Sequence, residues 1–228
     1  MPFVDRMEAG RRLGKALAAY RDQHPIILAL PRGGVPVAGK IAAMLGAPLD
    51  LVLVRKIGVP LQPELAMGAV ADGPEPLVVR NEDIIALSGV DRREFNRVRD
   101  QELAEIARRR QRYLGKRPHP DLNGQVAIVV DDGVATGATT KAALRAVRMQ
   151  NPKKLVLAVP VAPTDTLSRL KKEADEIVCL EDYEPFGAIG AFYADFNQVS
   201  DEQVTQILAR FPPQSPAEPA VSGEPPPS

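Results

Sequence analysis

A single cysteine, Cys179, stands among the 228 residues, tryptophan is absent, and aromatic side chains make up only 4% of the chain. One thiol excludes an intramolecular disulfide and fits a reducing compartment. An excess of one charge is also missing: 29 basic residues meet 29 acidic ones, and the isoelectric point lies near 6.8. There is therefore no overall basic field to recruit nucleic acid. No apolar run approaches the length of a membrane span, and no basic segment followed by an apolar stretch opens the chain. These absences lead to the expectation of a soluble, cytoplasmic protein with no membrane contact. The length allows one sizeable core with a small flap or hood besides.

What is present is concentrated in residues 126–140, VAIVVDDGVATGATT. Ala127 to Val130 show no polar alternation, which suits a central strand buried on both faces of a parallel sheet. The strand empties into two adjacent carboxylates, Asp131 and Asp132, and then into a loop of small residues. Gly133, Ala135, Gly137 and Ala138 let the chain turn tightly and approach a ligand, while Thr136, Thr139 and Thr140 add hydroxyl donors before a helix opens near Thr140. Helix N-termini favour phosphate, because unpaired N–H groups and the helix dipole point the same way. The nucleotide-loop spacing GxxxxGK[ST] is absent. A bare carboxylate pair would repel a phosphate, so Asp131 and Asp132 read as acceptors for vicinal sugar hydroxyls, or as holders of Mg²⁺ through water. A ribose 5-phosphate unit satisfies both halves of the segment, with its phosphate in the loop from Gly133 and Val134 to Thr140 and its hydroxyls on the acids.

An apolar strand, two acids, a short loop of small residues and Thr-Gly-x-Thr together resemble the phosphoribosyl diphosphate binding motif of the type I phosphoribosyltransferases. Residues 26–37, IILALPRGGVPV, support the resemblance: another apolar strand opens into Arg32, Gly33 and Gly34. Exposed backbone N–H groups and a guanidinium fork could seat a diphosphate there, and the resemblance places the diphosphate leaving group in this loop. Leu51 to Val54 reads as a further buried strand that delivers Arg55 and Lys56 at its C-terminal end, where open α/β sheets line their ligand crevice. Gly58, Pro60 and Pro63 are incompatible with regular helix, so residues 57–63 are expected to be the mobile loop that closes over substrate in the resembled family. Glu64 would then start a helix or lie on the surface. The string RKIGVPLQPELAMGAV, residues 55–70, resembles a subgroup of uncharacterised phosphoribosyltransferase-like proteins more closely than the base-salvage enzymes.

For the whole chain the alternation of elements predicts an α/β fold, a doubly wound parallel sheet of about five strands covered on both faces. Expected helices cover residues 5–20, 37–45, 140–149 and 165–172, and expected strands begin at Ile26, Leu49, Ala127, Leu155 and Ile177, with a short one at 77–79. The alternation lapses over about 80–120, where a long charged helix at 91–114 reads as a helical flap insertion. Its basic run, Arg108, Arg109, Arg110, Arg112, Lys116 and Arg117, reads first as a solvated face balanced by Glu94, Glu102 and Glu105. No aromatic residues interleave with it, so nucleic acid is not the expected partner. Aromatics concentrate instead in a C-terminal hood at about 180–198, where Phe186, Phe192 and Tyr193 would hold a flat acceptor or else form a satellite core. Residues 1–211 form the expected domain, and the Pro-rich segment 212–228 reads as a disordered tail.

The resemblance implies transfer of a 5-phosphoribosyl group from phosphoribosyl diphosphate to a nitrogen acceptor such as a nucleobase, with release of diphosphate and with Mg²⁺ as cofactor. Arg32, Arg55, Lys56, Asp131 and Asp132 are the catalytic candidates. Ala135 stands where the 6-oxopurine branch of the family carries an acidic base, so no general base is assigned. The competing reading is a noncatalytic sensor that binds phosphoribosyl diphosphate or a nucleotide and acts on a partner through the arginine-rich helix; a phosphatase or nucleotide hydrolase ranks behind it. A homodimer is compatible with these residues, which specify no oligomeric state.

Overall fold

The computed structural model describes residues 2–73 and 75–211, so the expected tail at 212–228 lies outside the described residues. In chain order the elements are α1 (Arg6–Ala16), β1 (Ile26–Ala29), α2 (Gly34–Leu45), β2 (Leu49–Leu51), β3 (Val54–Val59), β4 (Gln62–Ala71), β5 (Leu77–Arg80), α3 (Glu82–Ser88), α4 (Arg92–Leu114), β6 (Val126–Val130), α5 (Ala138–Arg148), β7 (Lys154–Pro163), α6 (Thr164–Leu170), β8 (Glu176–Tyr183) and α7 (Asp201–Leu208). Five strands pair in parallel in the order β2-β1-β6-β7-β8.

The apolar runs that form this sheet lack alternation because both faces are covered. Ile27, Ala29, Ile128 and Val130 point into a core shared with Leu13 of α1 and Leu17 just after it, Val37 and Ile41 of α2, and Val204 and Leu208 of α7. Their neighbours Ile26, Leu28, Ala127 and Val129 point the other way, onto Leu144 and Val147 of α5 and Leu170 of α6. The connections through α2 and α5 leave in opposite directions from β1 and β6, so the strand order reverses between them. In open α/β sheets a crevice forms outside the strand C-termini at such a reversal. The two loops singled out in the sequence, after β1 and after β6, both start there.

After β2 the chain leaves the parallel sheet. Strands β3, β4 and β5 form a separate antiparallel sheet, against which α4 packs through Phe95 and Ile106. Residues 57–63, expected to be a mobile loop, are here the tip of the β3–β4 hairpin, with Val59 opposite Gln62 and register shifts beside Gly58. Pro60 and Pro63 do forbid helix, but a turn and a strand beginning accept proline, because neither position needs its N–H. Glu64 correspondingly lies within β4 and starts no helix. The hood joins both ends of the described chain: Phe3 bridges to Tyr193, and Phe3, Tyr183, Phe186, Ile189, Phe192 and Phe196 gather around them.

Candidate active site

Pro31, Arg32 and Gly33 from one loop and Asp131 and Asp132 from the other line a cleft of about 450 Å³, closed by Arg6 of α1 and by Phe196, Gln198 and Val199. The loops interlock through missing side chains. A Cβ at Gly33 would stand 2.1 Å from Oδ2 of Asp132, and one at Gly34 would stand 2.7 Å from the Val130 carbonyl oxygen. Close approach is thus what the paired glycines provide. The N–H of Gly34 does not face a ligand as expected from the sequence, since it donates to the Leu30 carbonyl at 3.0 Å and thereby opens α2.

Asp132 is buried, and Arg6 Nε donates to its Oδ2 at 2.7 Å. Arg6 also donates through Nη1 to the Asn197 carbonyl at 2.8 Å, and its guanidinium carbon stands 3.8 Å from the centre of the Phe196 ring. Tyr193 donates its hydroxyl to the Asp132 carbonyl at 2.6 Å. Asp131 accepts the Asp132 N–H at 2.9 Å. Burial, followed by repulsion from the Asp132 carboxylate, pushes the Asp131 carboxyl well above the ordinary carboxylate range. A pair of sugar hydroxyls or a hydrated cation would relieve that repulsion. Among the described residues no group of three or more His, Cys, Asp or Glu could cage a metal. Two adjacent acids beside a cleft instead fit Mg²⁺ as it is usually held, by one or two carboxylates with water and substrate phosphates filling the remaining positions.

Beyond Asp132 the loop is braced from behind: Val134 N–H donates to the Val161 carbonyl at 2.9 Å, and Thr166 Oγ1 donates to the Ala135 carbonyl at 3.0 Å. Gly137, with φ of 78°, then turns the chain into α5 at Ala138. Gly133, Val134, Gly137 and Thr140 are buried, whereas Ala135, Thr136, Ala138 and Thr139 are exposed. Helices α1, α3, α4 and α7 are capped by the side chains of Asp5, Asn81, Asp91 and Ser200, while α2, α5 and α6 have no side-chain cap, and of these α2 and α5 start at the cleft loops. The opening N–H groups of α5 thus have no side-chain acceptor, which is the arrangement an anion can complete. Ala138 also lines a neighbouring cavity of about 420 Å³, together with Lys141 and Arg145 of α5 and Arg80 and Asn81 across from them.

The other sequence candidates lie elsewhere. Arg55 and Lys56 do not end a parallel strand; both sit on β3, where Arg55 pairs with Glu102 of α4 and Lys56 with Glu64 of β4 at 2.7 Å. Neither lines the cleft between Arg32 and Asp132. Phe192 stacks on Tyr183 and Phe186, with ring centroids 4.7 and 4.9 Å apart, and Tyr193 is buried against Phe3 and Phe196. These rings pack on one another, and Phe196 is the aromatic of the segment that lines the cleft.

Arg6, Phe196 and Gln198 were not singled out from the sequence. Arg6 lies 126 residues from Asp132, beyond the reach of any local motif. One signal was available: an arginine directly after the N-cap Asp5 opposes the helix dipole, so α1 itself gives no reason for it.

A doubly wound sheet with glycine-lined loops meeting at its switch point and an acid pair between them defines the type I phosphoribosyltransferase fold. The model of the phosphoribosyl transferase domain matches residues 5–197, and the chain belongs to that family. It is similar to TT1426 from Thermus thermophilus, whose crystal structure superposes with a TM-score of 0.80 at 43% identity, covering 92% of this chain and 99% of that one. It is also 44% identical over 208 residues to two Mycobacterium tuberculosis proteins, Rv0571c of strain H37Rv and MT0597 of strain CDC 1551, whose names provisionally describe them as phosphoribosyl transferases. That alignment takes in 91% of this chain and 46% of each relative, so the chain spans about half the length of the curated relatives it matches.

Proposed function

We propose that the cleft binds phosphoribosyl diphosphate and that the protein transfers its 5-phosphoribosyl group to a nitrogen nucleophile such as a nucleobase, releasing diphosphate with inversion at the anomeric carbon. The observation that carries this reading is the interlock of Gly33 with Asp132, which sets Arg32 on one wall of the cleft and the acid pair on the other. Such a transfer needs little covalent chemistry from the protein. It needs negative charge near a ribose that becomes oxocarbenium-like and positive charge near a departing diphosphate.

Asp131 and Asp132 accept hydrogen bonds from the ribose 2- and 3-hydroxyls, which fixes the ring and places carboxylates beside the developing cation. Arg32 receives the diphosphate. The uncapped start of α5, with Thr136 and Thr139, takes the 5-phosphate, so binding energy remote from the reacting bond positions it. When bound, Mg²⁺ would be held through the acid pair and would supply further neutralisation of the diphosphate. Phe196 gives the cleft an apolar edge, its ring being already stacked by Arg6 and Tyr193. The noncatalytic alternative predicts donor binding without diphosphate release.

The deciding experiment incubates the protein with radiolabelled phosphoribosyl diphosphate, Mg²⁺ and a panel of nucleobases and small amines. Acceptor-dependent diphosphate release supports transfer. Donor binding without release from any acceptor replaces it with the sensor, and absence of donor binding overturns both.

A further inference from the structure

On the far side of Arg32 lies a second cavity, about 240 Å³, lined by Pro31, Arg32, Arg108, Arg109, Arg112, Tyr113 and Asp201. Four guanidinium groups face one carboxylate across it. Arg108 and Arg109 also pair with Glu105 at 2.7 and 2.8 Å, and Arg112 reaches Glu202 at 3.4 Å, yet the cations still outnumber the acids. Asp201 is shared: it is 2.6 Å from Arg112, accepts the Tyr113 hydroxyl at 2.5 Å, and is 3.7 Å from Arg32. The last distance is long, so the Arg32 guanidinium retains donors for another acceptor.

The inward-facing arginines nearby mark these three as distinct. Arg110 turns its Nη1 to buried Asp72 at 3.0 Å and Asp50 at 3.5 Å, away from the cavity, and Arg117 donates to the Leu49, Leu208 and Phe211 carbonyls. Arg108, Arg109 and Arg112 each pair with an acid of α4 or α7 but stay 37–60% exposed around a concave space. Guanidinium forks converging on a pocket of this size match a compact anion bearing phosphate groups, not the extended backbone of a nucleic acid.

We propose that this pocket is a second anion site, for a small ligand with at least two phosphate charges, and that it shares Arg32 with the phosphoribosyl cleft. The proposal rests on the cleft reading only for the role of Arg32. A ligand in the pocket draws the Arg32 guanidinium toward α4, so it weakens the hold of the cleft on diphosphate, and by reciprocity diphosphate in the cleft weakens the pocket.

The test titrates the full chain calorimetrically with inorganic diphosphate and repeats the titration on Arg108→Gln/Arg112→Gln, whose substituted side chains are exposed and leave the cleft walls intact. The wild type is expected to show two binding events and the double variant one, the lost event having weakened by at least about tenfold. Arg32→Ala is expected to weaken both. A single wild-type event that the double variant loses still supports the pocket and counts against the cleft alone. Identical isotherms for wild type and double variant, or no binding by either, overturn the proposal.

Discussion

Gly33 and Gly34 are adjacent, both have a helical backbone or border one, and yet an added methyl should act on different properties at the two positions. Gly33 has φ of −60° and ψ of −37°, which alanine adopts without strain, so only the clash separates it from a benign substitution. Its Cβ would stand 2.1 Å from Asp132 Oδ2 where ordinary contact begins near 3.4 Å, which demands roughly 1.3 Å of movement. The obstructing atoms are the end of a side chain, so the carboxylate rotates away and the Arg6 ion pair breaks. At Gly34 the obstructing atoms are the Val130 carbonyl oxygen at 2.7 Å and the Asp131 Cα at 3.0 Å, both backbone at the end of the central strand. They cannot rotate away.

Replacing glycine by alanine in a helix gains at most about 1 kcal/mol, whereas overpacking against immobile backbone costs about 1–3 kcal/mol. Gly34→Ala is therefore expected to destabilise the fold by about 1–2 kcal/mol, measured by urea unfolding. Gly33→Ala is expected to cost less stability than that, but to lower kcat/KM on the order of 100-fold, because a displacement of about 1 Å at the sugar contacts forfeits alignment. Donor affinity by calorimetry should fall with it. Wild-type turnover and donor affinity in Gly33→Ala, or a larger stability loss there than in Gly34→Ala, would refute the interlock.

Further outcomes are expected. Asp131→Asn should lose donor binding yet melt higher than wild type at pH 7. The raised carboxyl of Asp131 contributes stability that is full below its unfolded pKa and is lost as pH rises through its raised folded pKa, so the gain should shrink on acidification toward pH 4, and a lower melting temperature at pH 7 would contradict the repulsion from Asp132. Arg110→Met should destabilise by about 3–5 kcal/mol at pH 8, because Asp50 and Asp72 are left buried without their cation. The loss should be smaller at pH 5, since burial has already pushed the Asp72 carboxyl to about 6; an equal loss at both values in urea titrations would count against this origin. Tyr193→Phe should cost about 1–3 kcal/mol by leaving the buried Asp132 carbonyl unpaired, and donor affinity should drop with it. A variant with weakened stability but unchanged donor affinity would show that the brace does not reach the site.

The central sheet was legible because its strands need no distant information: Val126–Val130 and Ile26–Ala29 are apolar at every position, as burial on both faces requires. The loops after them were legible for the same reason, being local. The β3–β4 hairpin was not, because Pro60 and Pro63 signal only what they forbid, while Ile57 and Met67 of its strands share a core with Phe95 of α4, which is distant in sequence. The basic run on α4 hid a division that periodicity could have exposed. Ile106, Arg110 and Tyr113 share one face at i, i+4 and i+7, so Arg110 stands in the apolar stripe and meets buried acids, while Arg108 and Arg112 are turned away from that stripe. Aromatic composition in the hood could not separate a stacking platform from a satellite core, because the deciding neighbour, Phe3, comes from the opposite end of the chain.

That same closure of the two ends explains why the acids of one motif are unequal. Asp132 is held two ways, Arg6 of α1 gripping its carboxylate and Tyr193 of the hood its carbonyl, in the space that the missing side chain of Gly33 leaves for it. Asp131 accepts one backbone hydrogen bond and otherwise bears the repulsion of Asp132. In the proposed reaction Asp132 would accordingly be a fixed reference for the position of the sugar, and Asp131 the group whose repulsion a ligand would relieve. Because the fixed acid depends on residues near both termini, the geometry of the cleft is set by how the hood closes on α1 as much as by the loop that carries the motif.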